Sequence, residues 1–348
     1  MPDEHYMYRC FQLALLGAGN VAPNPMVGAV LVHKDRIIGE GYHQQYGEAH
    51  AEVNCIRNVP AGLRSLIPAS TLYVSLEPCA HFGKTPPCAD LVIHEMIPRV
   101  VIGCTDVFAQ VAGRGIQKLQ DAGIEVVVGV LREQALELNK RFFTFHTAKR
   151  PFIILKWAQS ADHKISAGTD ERLLISNEIS NRQVHKWRSE EAAILVGTRT
   201  ALLDNPSLTT RHWGGSNPIR LVIDKRLQLP NTHQLMDKKV RTIIFNSLKN
   251  SNGETEFRQV KNETDFLPGM LRELYTLNIQ SVLVEGGATL LQSFIDAGLW
   301  DEARVITNQG LMIGAGLNAP ELGNLQPVSQ ATLETDQVSY YRNNQLIQ

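Results

Sequence analysis

The chain has 348 residues, more than a single hydrophobic core usually organises, so its length predicts two domains. Hydrophobic residues make up 43% and charged residues 20% of the sequence, which is typical of a globular protein. A formal net charge of -1 argues against a broad nucleic-acid-binding or membrane-binding surface. We therefore expect small-molecule rather than nucleic-acid or membrane partners.

The cysteines and the N-terminal residues indicate in which cellular compartment the protein is expected to work. Five cysteines are an odd number for so long a chain, which disfavours a disulfide framework and favours a reducing cytoplasm. The first ten residues include acidic side chains and no apolar segment, so we expect no secretion signal. We accordingly predict a cytoplasmic protein.

Strand-like and helix-like segments alternate along the first part of the chain. The stretches 27–33 and 36–43, joined by Lys34-Asp35, predict a hairpin. The segments that follow are predicted as a helix from His50, a strand at 71–77, a helix at 88–96, a strand at 99–104, a helix at 115–123, a strand at 124–129 and a helix at 132–146. This alternation indicates an α/β layered domain.

A second alternating pattern begins with "FIILKWA" after Arg150. We therefore predict two domains, residues 1–148 and 149–348. Further strands are expected at 192–197, 219–224, 241–246 and 281–287, with helices between them. The segment 247–263 is polar, and we expect it to be a surface excursion.

The stretch "PCAHFGKTPPC" (78–88) and the upstream "HAE" (50–52) together predict a metal centre. His50, Cys79 and Cys88 provide one imidazole and two thiolates, which leaves a fourth tetrahedral position for water, as in catalytic zinc sites. Cys88 follows two prolines at a predicted helix start, where the helix dipole favours the thiolate. The signature H-x-E with P-C-x-x-C belongs to zinc deaminases, and here the insert between the cysteines is longer. We predict one Zn²⁺ per chain.

Glu52 and His81 lie next to these three residues in sequence. Two helical residues at positions i and i+2 point about 200° apart, so Glu52 is not expected to share the metal with His50. Its carboxylate can instead carry a proton to a departing amine. His81 is a rival metal ligand, but its position two residues after Cys79 favours a place in the substrate pocket.

Several motifs occur in one order along nearly the whole chain. They are "NPMVGAV" (24–30), "GEAHAE" (47–52), "LEPCAHFGKTPPC" (76–88), "VAGRGI" (111–116), "DNPSLT" (204–209) and "VEGG" (284–287). This set resembles the bifunctional riboflavin-biosynthesis deaminase–reductases. The resemblance implies a cytidine-deaminase-like three-layer domain followed by a dihydrofolate-reductase-like domain. It also implies zinc-dependent deamination of a phosphoribosylaminopyrimidine, followed by NADPH-dependent reduction of its ribose to a ribityl chain.

The resemblance assigns site residues by motif. It makes Glu52 the proton shuttle of the deaminase, with the substrate contacted by Asn24, His43, His81 and Lys84. In the reductase it implies substrate contacts from Arg188, Leu208, Arg211 and Glu285. It implies NADPH contacts from Thr200, Asp204, Gly286, Gly287, Ala288, Thr289, Leu290, Leu291, Gln292 and Ser293.

The reductase half has weaker signals of its own. It contains no G-x-G-x-x-G, so a Rossmann dinucleotide site is not supported. "SVLVEGGATLLQSF" predicts a strand, two glycines and a helix, a geometry whose backbone N–H groups can bind a cofactor phosphate. A strand–glycine–helix turn is also often a simple connection. Arginines suit phosphate oxygens, but each also has an ordinary interpretation as a surface ion pair.

Two other interpretations of the whole chain stay open at this point. In one, the first half is a general nucleobase deaminase and the second a regulatory nucleotide-binding module. In the other, the zinc is purely structural and the protein is not an enzyme.

His163 and Leu174 stand where the family usually has a glycine and an aromatic residue. We also expect a homo-oligomer, a dimer or a tetramer.

Overall fold

The structure is a computed structural model that describes residues 2–82, 86–107, 112–168, 173–261 and 265–343. It divides into two compact units, Met1–Ala148 and Lys149–Gln348. Within the described residues, no helix combines the length and the apolar character that crossing a bilayer requires.

The first unit is built on a five-stranded sheet of order β2-β1-β3-β4-β5. Its strands are β1 (Gly28–His33), β2 (Arg36–Tyr42), β3 (Thr71–Leu76), β4 (Arg99–Cys104) and β5 (Glu125–Val128). Strand β1 pairs antiparallel with β2 and β3, whereas β3, β4 and β5 are parallel. The predicted hairpin and strands are confirmed.

Helices cover both faces of this sheet. They are α1 (Pro2–Leu15), α2 (Ala51–Arg57), α3 (Cys88–His94), α4 (Arg114–Asp121), α5 (Arg132–Leu138) and α6 (Lys140–Ala148), with a 3₁₀ segment at Ala61–Ala69. Alternate residues of β1 point to opposite faces: Val30 packs with α1 and α5, and Leu31 packs with α2 and α3. The unit therefore has three layers, as expected.

Two features of the first unit differ from the sequence prediction. Helix α1 was not anticipated, although Met7, Cys10 and Ala14 are fully buried at helical spacing. The predicted helix 132–146 is interrupted at Asn139, where α5 ends and α6 begins one residue later. The Asn139 side chain accepts from the Met26 N–H (2.8 Å) and donates to the Met26 carbonyl (2.9 Å), so a long-range contact stabilises the break.

The second unit contains a nine-stranded sheet of order β11-β10-β9-β8-β12-β6-β13-β16-β15 and a two-stranded β14-β7 ribbon. The strands are β6 (Phe152–Ser160), β7 (Lys164–Ser166), β8 (Ala193–Gly197), β9 (Ile219–Ile223), β10 (Thr242–Asn246), β11 (Thr255–Gln259), β12 (Ser281–Val284), β13 (Glu302–Asn308), β14 (Leu317–Asn318), β15 (Ser329–Leu333) and β16 (Asp336–Arg342). From β11 to β13 all neighbouring strands are parallel, and β16 and β15 are antiparallel.

Helices pack on both faces of this sheet as well. They are α7 (Glu178–Glu190), α8 (Thr198–Asp204), α9 (Phe266–Thr276) and α10 (Ala288–Asp296), with a 3₁₀ turn at Gln234–Met236. Residues of α9 and α10 join one core cluster, whereas residues of α7 and α8 join clusters on the other face. The α/β character predicted for this half is confirmed.

Four local expectations for the second unit can be compared with the structure. The prediction that 247–263 is only a surface excursion was wrong, because β11 lies within it and pairs with β10 at the edge of the sheet. The strand predicted at 281–287 ends at Val284. His163 has φ 57°, a backbone conformation that favours glycine, and its ring bonds the Gln159 side chain at 2.9 Å. Leu174 is 77% exposed.

Candidate active sites

The structure brings together His50, Cys79 and Cys88. Their ligand atoms all lie within 4.8 Å of one another. The His50 Nδ1 atom is 3.3 Å from the Cys88 sulfur and 3.6 Å from the Cys79 sulfur. Two donors of a tetrahedral zinc site, with the usual Zn–N and Zn–S bonds, are roughly 3.5 Å apart. One imidazole and two sulfurs at this spacing fit Zn²⁺.

Three local structures position the donors. His50 lies directly before α2 in an extended conformation, and Cys79 follows Pro78 just beyond β3. Cys88 is the first residue of α3, after Pro87, whose fixed φ suits a helix start. The Cys88 N–H donates to the Cys79 sulfur at 3.3 Å, and the Ala89 N–H donates to the Cys79 carbonyl at 3.1 Å. The predicted helix start at Cys88 is therefore confirmed.

These contacts favour a thiolate in the cluster. The hydrogen bond from the Cys88 thiol, together with His50 and the Cys88 N–H, lowers the pKa of Cys79 to about 4. The same interaction with Cys79 raises the pKa of Cys88, so Cys79 loses its proton first. A thiolate is the form of cysteine that binds zinc.

Glu52 lies in the first turn of α2 and is 3% exposed. Burial raises the pKa of Glu52 above its ordinary value. A carboxyl group whose pKa is raised holds its proton more readily than an exposed one, which suits a group that takes up a proton and passes it on. This property fits the proton-shuttle role predicted from the sequence.

Asn24, His43 and His50 form a connected group. The Asn24 side-chain amide lies 3.1 Å from His43 Nε2, and His43 Nδ1 lies 3.1 Å from the Ala49 carbonyl. The His43 and His50 rings meet edge to face, with centroids 5.4 Å apart. Burial lowers the pKa of His43, so a neutral ring with its proton on Nδ1 satisfies both hydrogen bonds.

Two more residues were predicted for this pocket, and the structure describes one of them. His81 is half-buried in the loop after Cys79. Lys84 lies outside the described residues.

In the second unit, the structure pairs Arg188 with Glu285. Arg188 Nε and one terminal nitrogen donate to the two Glu285 oxygens at 2.8 and 2.7 Å, and Lys156 Nζ is 3.7 Å from the same carboxylate. Burial alone would raise the pKa of Glu285, but the charges of Arg188 and Lys156 outweigh it and lower the pKa to about 2. The site therefore holds a buried carboxylate between two cations.

Gly286 and Gly287 connect β12 to α10 and fit a cofactor phosphate. A Cβ on Gly286 would lie 2.6 Å from Val196 Cα, so the turn presses against the end of β8. Gly287 has φ 57° and ψ 137°, and a Cβ there would lie 3.1 Å from the Thr200 hydroxyl of α8. Because the two glycines have no side chains, a ligand can approach the backbone at the start of α10, where N–H groups can bind an anion. We call this turn the cradle.

The remaining residues predicted to contact the cofactor differ in exposure. Leu291 is 1% exposed and packs in the core, so its side chain faces away from solvent. Gly286 is buried, whereas Asp204, Thr289 and Ser293 are exposed. The half-buried members of the set are Thr200, Gly287, Ala288, Leu290 and Gln292.

Arg211 lines a cavity of about 570 Å³ between α7 and the loop that follows Thr210. The other lining residues are Glu178, Asn181, Arg182, His212, Trp213 and Gly214. The Arg211 N–H donates to His185 Nδ1 at 3.0 Å, which ties the loop to α7. Leu208, by contrast, is 3% exposed and packs with Val196 and Val222.

Sequence reasoning missed two charged residues of these regions. Lys156 is a lone lysine within the apolar strand "FIILKWA", an unusual position that could have drawn attention to it. Glu77 directly follows the buried strand β3 and is 4% exposed. Nothing in the local sequence distinguishes Glu77 from a residue that simply ends a strand.

Comparison with known proteins covers nearly the whole chain. Residues 151–345 match the family described as the RibD C-terminal domain, and residues 1–104 match the cytidine and deoxycytidylate deaminase zinc-binding region. The riboflavin biosynthesis protein RibD of Aquifex aeolicus is 38% identical over 92% of this chain and 90% of its own length. The RibD protein of Bacillus amyloliquefaciens is 42% identical over 86% of this chain and 82% of its own length.

Solved structures agree with these relatives. The Thermotoga maritima diaminohydroxyphosphoribosylaminopyrimidine deaminase/5-amino-6-(5-phosphoribosylamino)uracil reductase is 34% identical, covers 98% of both chains and has a TM-score of 0.90. Acinetobacter baumannii RibD, form 1, is 29% identical over 98% of both chains, with a TM-score of 0.87. The resemblance and fold class predicted from the sequence are thereby confirmed. This chain belongs to the RibD family, bifunctional enzymes of riboflavin biosynthesis that combine a zinc-binding deaminase domain with a reductase domain.

Proposed function

We propose that residues 1–148 are the deaminase domain and residues 149–348 the reductase domain. The first substrate is 2,5-diamino-6-(5-phosphoribosylamino)pyrimidin-4(3H)-one, whose ring amino group is replaced by oxygen with release of ammonia. The ribose of the product is then reduced to a ribityl chain with NADPH. The observation that carries this proposal is the spacing of the His50, Cys79 and Cys88 donor atoms, together with the buried carboxyl group of Glu52, which interacts with all three.

For the deaminase, we propose that His50, Cys79 and Cys88 hold one Zn²⁺. Zinc, when bound, acts as a Lewis acid and makes water a nucleophile near neutral pH. Glu52 takes up a proton and gives it to the departing amine, a role that its raised pKa supports. Asn24 and His43 orient the pyrimidine, and their mutual hydrogen bond supports a fixed geometry. We also propose that His81 and Lys84 contact the substrate, with the Lys84 ammonium facing its phosphate.

For the reductase, we propose that the backbone from Gly286 to Ser293, together with Thr200 and Asp204, holds NADPH. NADPH supplies the hydride, and the protein mainly keeps cofactor and sugar in contact. The cradle of the glycine pair at the start of α10 supports a phosphate of the cofactor there.

The substrate side of the reductase is assigned to Arg188, Leu208, Arg211 and Glu285. Three contacts occupy Arg188, two with Glu285 and one of 3.3 Å with the Thr209 carbonyl. We therefore propose that Arg211, in the cavity beside α7, faces the substrate phosphate, and that Arg188 keeps Glu285 ionised and in place. Leu208 contributes packing beneath the site.

We propose further that the enzyme works in the cytoplasm, which its five free thiols support, and that it forms a homo-oligomer of two or four copies. Light scattering of the purified chain measures the number of copies.

The decisive experiment is incubation of the purified chain with the pyrimidine substrate, zinc and NADPH, followed by mass spectrometry. We expect exchange of an amino group for oxygen and then a gain of two hydrogens. Glu52→Gln should lower the rate of ammonia release by about 10²–10⁴-fold, because it removes the proton carrier. Zinc content and NADPH oxidation with the deaminated pyrimidine should be unchanged.

Glu133→Gln is the matched control, because it makes the same chemical change at an exposed position of the same unit. Ammonia release at the wild-type rate in Glu52→Gln would remove Glu52 from its assigned role. No NADPH-dependent reduction of the deaminated pyrimidine would favour a regulatory second half.

A further inference from the structure

Glu77 is a buried carboxylate that the reaction described above does not use. It follows β3 and directly precedes Pro78-Cys79, and it is 4% exposed. Its own N–H donates to the Cys104 carbonyl at 3.0 Å, which continues the pairing of β3 with β4. A carboxylate at such a depth requires strong compensating interactions.

Four backbone N–H groups provide this compensation. Gly115 and Ile116 donate to Glu77 Oε1 at 2.9 and 3.3 Å. Asp106 and Gly113 donate to Glu77 Oε2 at 3.2 and 3.0 Å. One side chain thus binds the backbone that leaves β4 and the first turn of α4, where unpaired N–H groups and the helix dipole favour an anion.

The same region is packed directly against the turn that carries Cys79. A Cβ on Gly115 would lie 1.9 Å from the Pro78 carbonyl oxygen, so this close approach requires glycine. Pro78 is joined to Cys79 by a peptide bond, which means that the first turn of α4 fixes the backbone from which this sulfur projects. Glu77 and Gly115 together clamp α4 onto the Cys79 turn.

The clamp extends to the second sulfur. Helix α4 contacts α3, which begins at Cys88, and Lys118 of α4 forms an ion pair with Asp90 of α3. The Cys79 carbonyl in turn accepts the Ala89 N–H at 3.1 Å. Glu77 can therefore influence the positions of both sulfurs. It acts on Cys79 through the contact between the start of α4 and Pro78, and on Cys88 through the packing of α4 against α3.

We propose that Glu77 is a positioning residue for the zinc centre: its carboxylate holds the start of α4 against the Cys79 turn and so sets the geometry of the two thiolates. This inference rests on the proposed zinc centre. Glu77 touches neither the cluster atoms nor Glu52 in any hydrogen bond of the described residues, so its effect on the reaction is indirect.

The test is Glu77→Gln in the full chain, compared with wild type and with Glu133→Gln. Glutamine keeps the size but offers one acceptor oxygen, so two of the four N–H groups lose their partner. We expect kcat for ammonia release to fall by about 10–100-fold, the usual loss for an outer partner of a metal site. We expect KM to change by less than about 3-fold, since the substrate-contacting residues are untouched. NADPH-dependent reduction should equal that of wild type.

A spectroscopic measurement distinguishes positioning from simple stabilisation. With Co²⁺ in place of zinc, the thiolate-to-cobalt absorption of Glu77→Gln should differ from that of wild type and of Glu133→Gln. A Glu77→Gln protein that is less stable but has the wild-type cobalt spectrum and the wild-type kcat would overturn the inference, because Glu77 would then act on stability alone.

Three further outcomes are possible. If the first unit of Glu77→Gln does not fold, amide hydrogen exchange is measured on the wild-type protein instead. Slow exchange of the Gly113, Gly115 and Ile116 N–H groups supports the clamp, whereas exchange as fast as in open loops overturns it. If wild type binds no zinc and releases no ammonia, the proposed function fails. If wild type does both and Glu77→Gln matches it, only the positioning inference fails.

Discussion

The zinc centre and the reductase site are built from different kinds of parts. The proposed donors at the zinc centre are three side chains, those of His50, Cys79 and Cys88. The proposed reductase site combines Lys156, Arg188, Thr200 and Glu285 from four separate segments of the chain, and part of it is backbone. A site made of rare side chains at fixed spacing is visible in a sequence. A site made of backbone N–H groups and common charges is not.

The two sites also differ in electrostatics. The zinc centre places two thiols and an imidazole next to one another, and one thiol is strongly acidified. The reductase site buries a carboxylate between two cations. The first arrangement fits a divalent cation, whereas the second already satisfies its own charges. We therefore expect that removing one side chain of the first site lowers its affinity for the metal. Removing one charged side chain of the second site should instead lower the free energy of unfolding.

The largest effect is expected from Cys88→Ala, which removes one of the three proposed zinc donors. Zinc content should fall to near zero. The rate of ammonia release should fall by more than about 100-fold, because even the loss of a residue that only hydrogen-bonds a metal ligand can lower activity by up to that factor. NADPH oxidation with the deaminated pyrimidine should persist. Metal analysis and the two activity assays measure these quantities.

The control for this variant is Cys104→Ala. Cys104 is a buried cysteine of the same unit whose sulfur bonds the Ser75 carbonyl at 3.8 Å and lies outside the zinc cluster. It should retain zinc. A full complement of zinc in Cys88→Ala would show that the centre is built from other donors.

The next effect concerns the pH dependence of stability at Glu285. Its pKa is lowered from 4.5 to about 2 on folding, so the ionised form stabilises the fold above pH 4.5, and this contribution is lost as the pH falls towards 2. The shift corresponds to about 3 kcal/mol. We expect wild type to exceed Glu285→Gln in unfolding free energy by about this amount at pH 6, and the difference to disappear near pH 2.

Tryptophan fluorescence during urea unfolding is suited to this measurement. The four tryptophans, Trp157, Trp187, Trp213 and Trp300, all lie in the second unit, so the signal reports on that unit alone. Glu321→Gln, at an exposed position of the same unit, is the matched control. A difference between wild type and Glu285→Gln that stays constant from pH 6 to pH 2 would contradict the pKa on which the prediction rests.

The smallest of the three effects is expected from Gly287→Ala. Alanine is strained at φ 57° and ψ 137°, at a cost of about 1–3 kcal/mol, and the turn should relax away from its cradle geometry. We expect KM for NADPH to rise about 10-fold, which corresponds to about 1.4 kcal/mol of lost binding. Deaminase kinetics should not change.

Gly310→Ala provides the comparison, because Gly310 has no left-handed φ and its nearest Cβ contact would be an ordinary 3.6 Å. Equal KM values for NADPH in Gly287→Ala and wild type would place the cofactor phosphate elsewhere.

Individual residues show which secondary-structure elements could be predicted from the sequence and which could not. The alternation of apolar residues predicted β1 to β5 and most helices, because each of these segments buries one face by its own pattern. Asn139 interrupts a predicted helix because its side chain pairs with Met26, 113 residues away. Strand β11 is polar and lies at the edge of its sheet, where little apolar burial is needed, so hydrophobicity could not reveal it.

The same contrast holds for the sites. Proline-flanked cysteines and the "HAE" tripeptide predicted the zinc cluster, since its chemistry needs these rare side chains. The family motifs pointed to Leu208 and Leu291, but the structure shows that both side chains face the core. A motif specifies that a position matters, whereas the direction of a side chain depends on the packing around it.

The amino-acid sequence by itself determined the layered α/β architecture, predicted the three residues that the fold brings together as a metal-binding cluster, and showed a glycine turn before a helix. These features follow from local patterns and from the chemistry of single residue types. Only the tertiary structure decided that Arg188 and Lys156 surround Glu285, and that Glu77 binds backbone groups up to 39 residues away in the chain. Such contacts join common residues over long separations, and only the folded chain brings them within hydrogen-bonding distance.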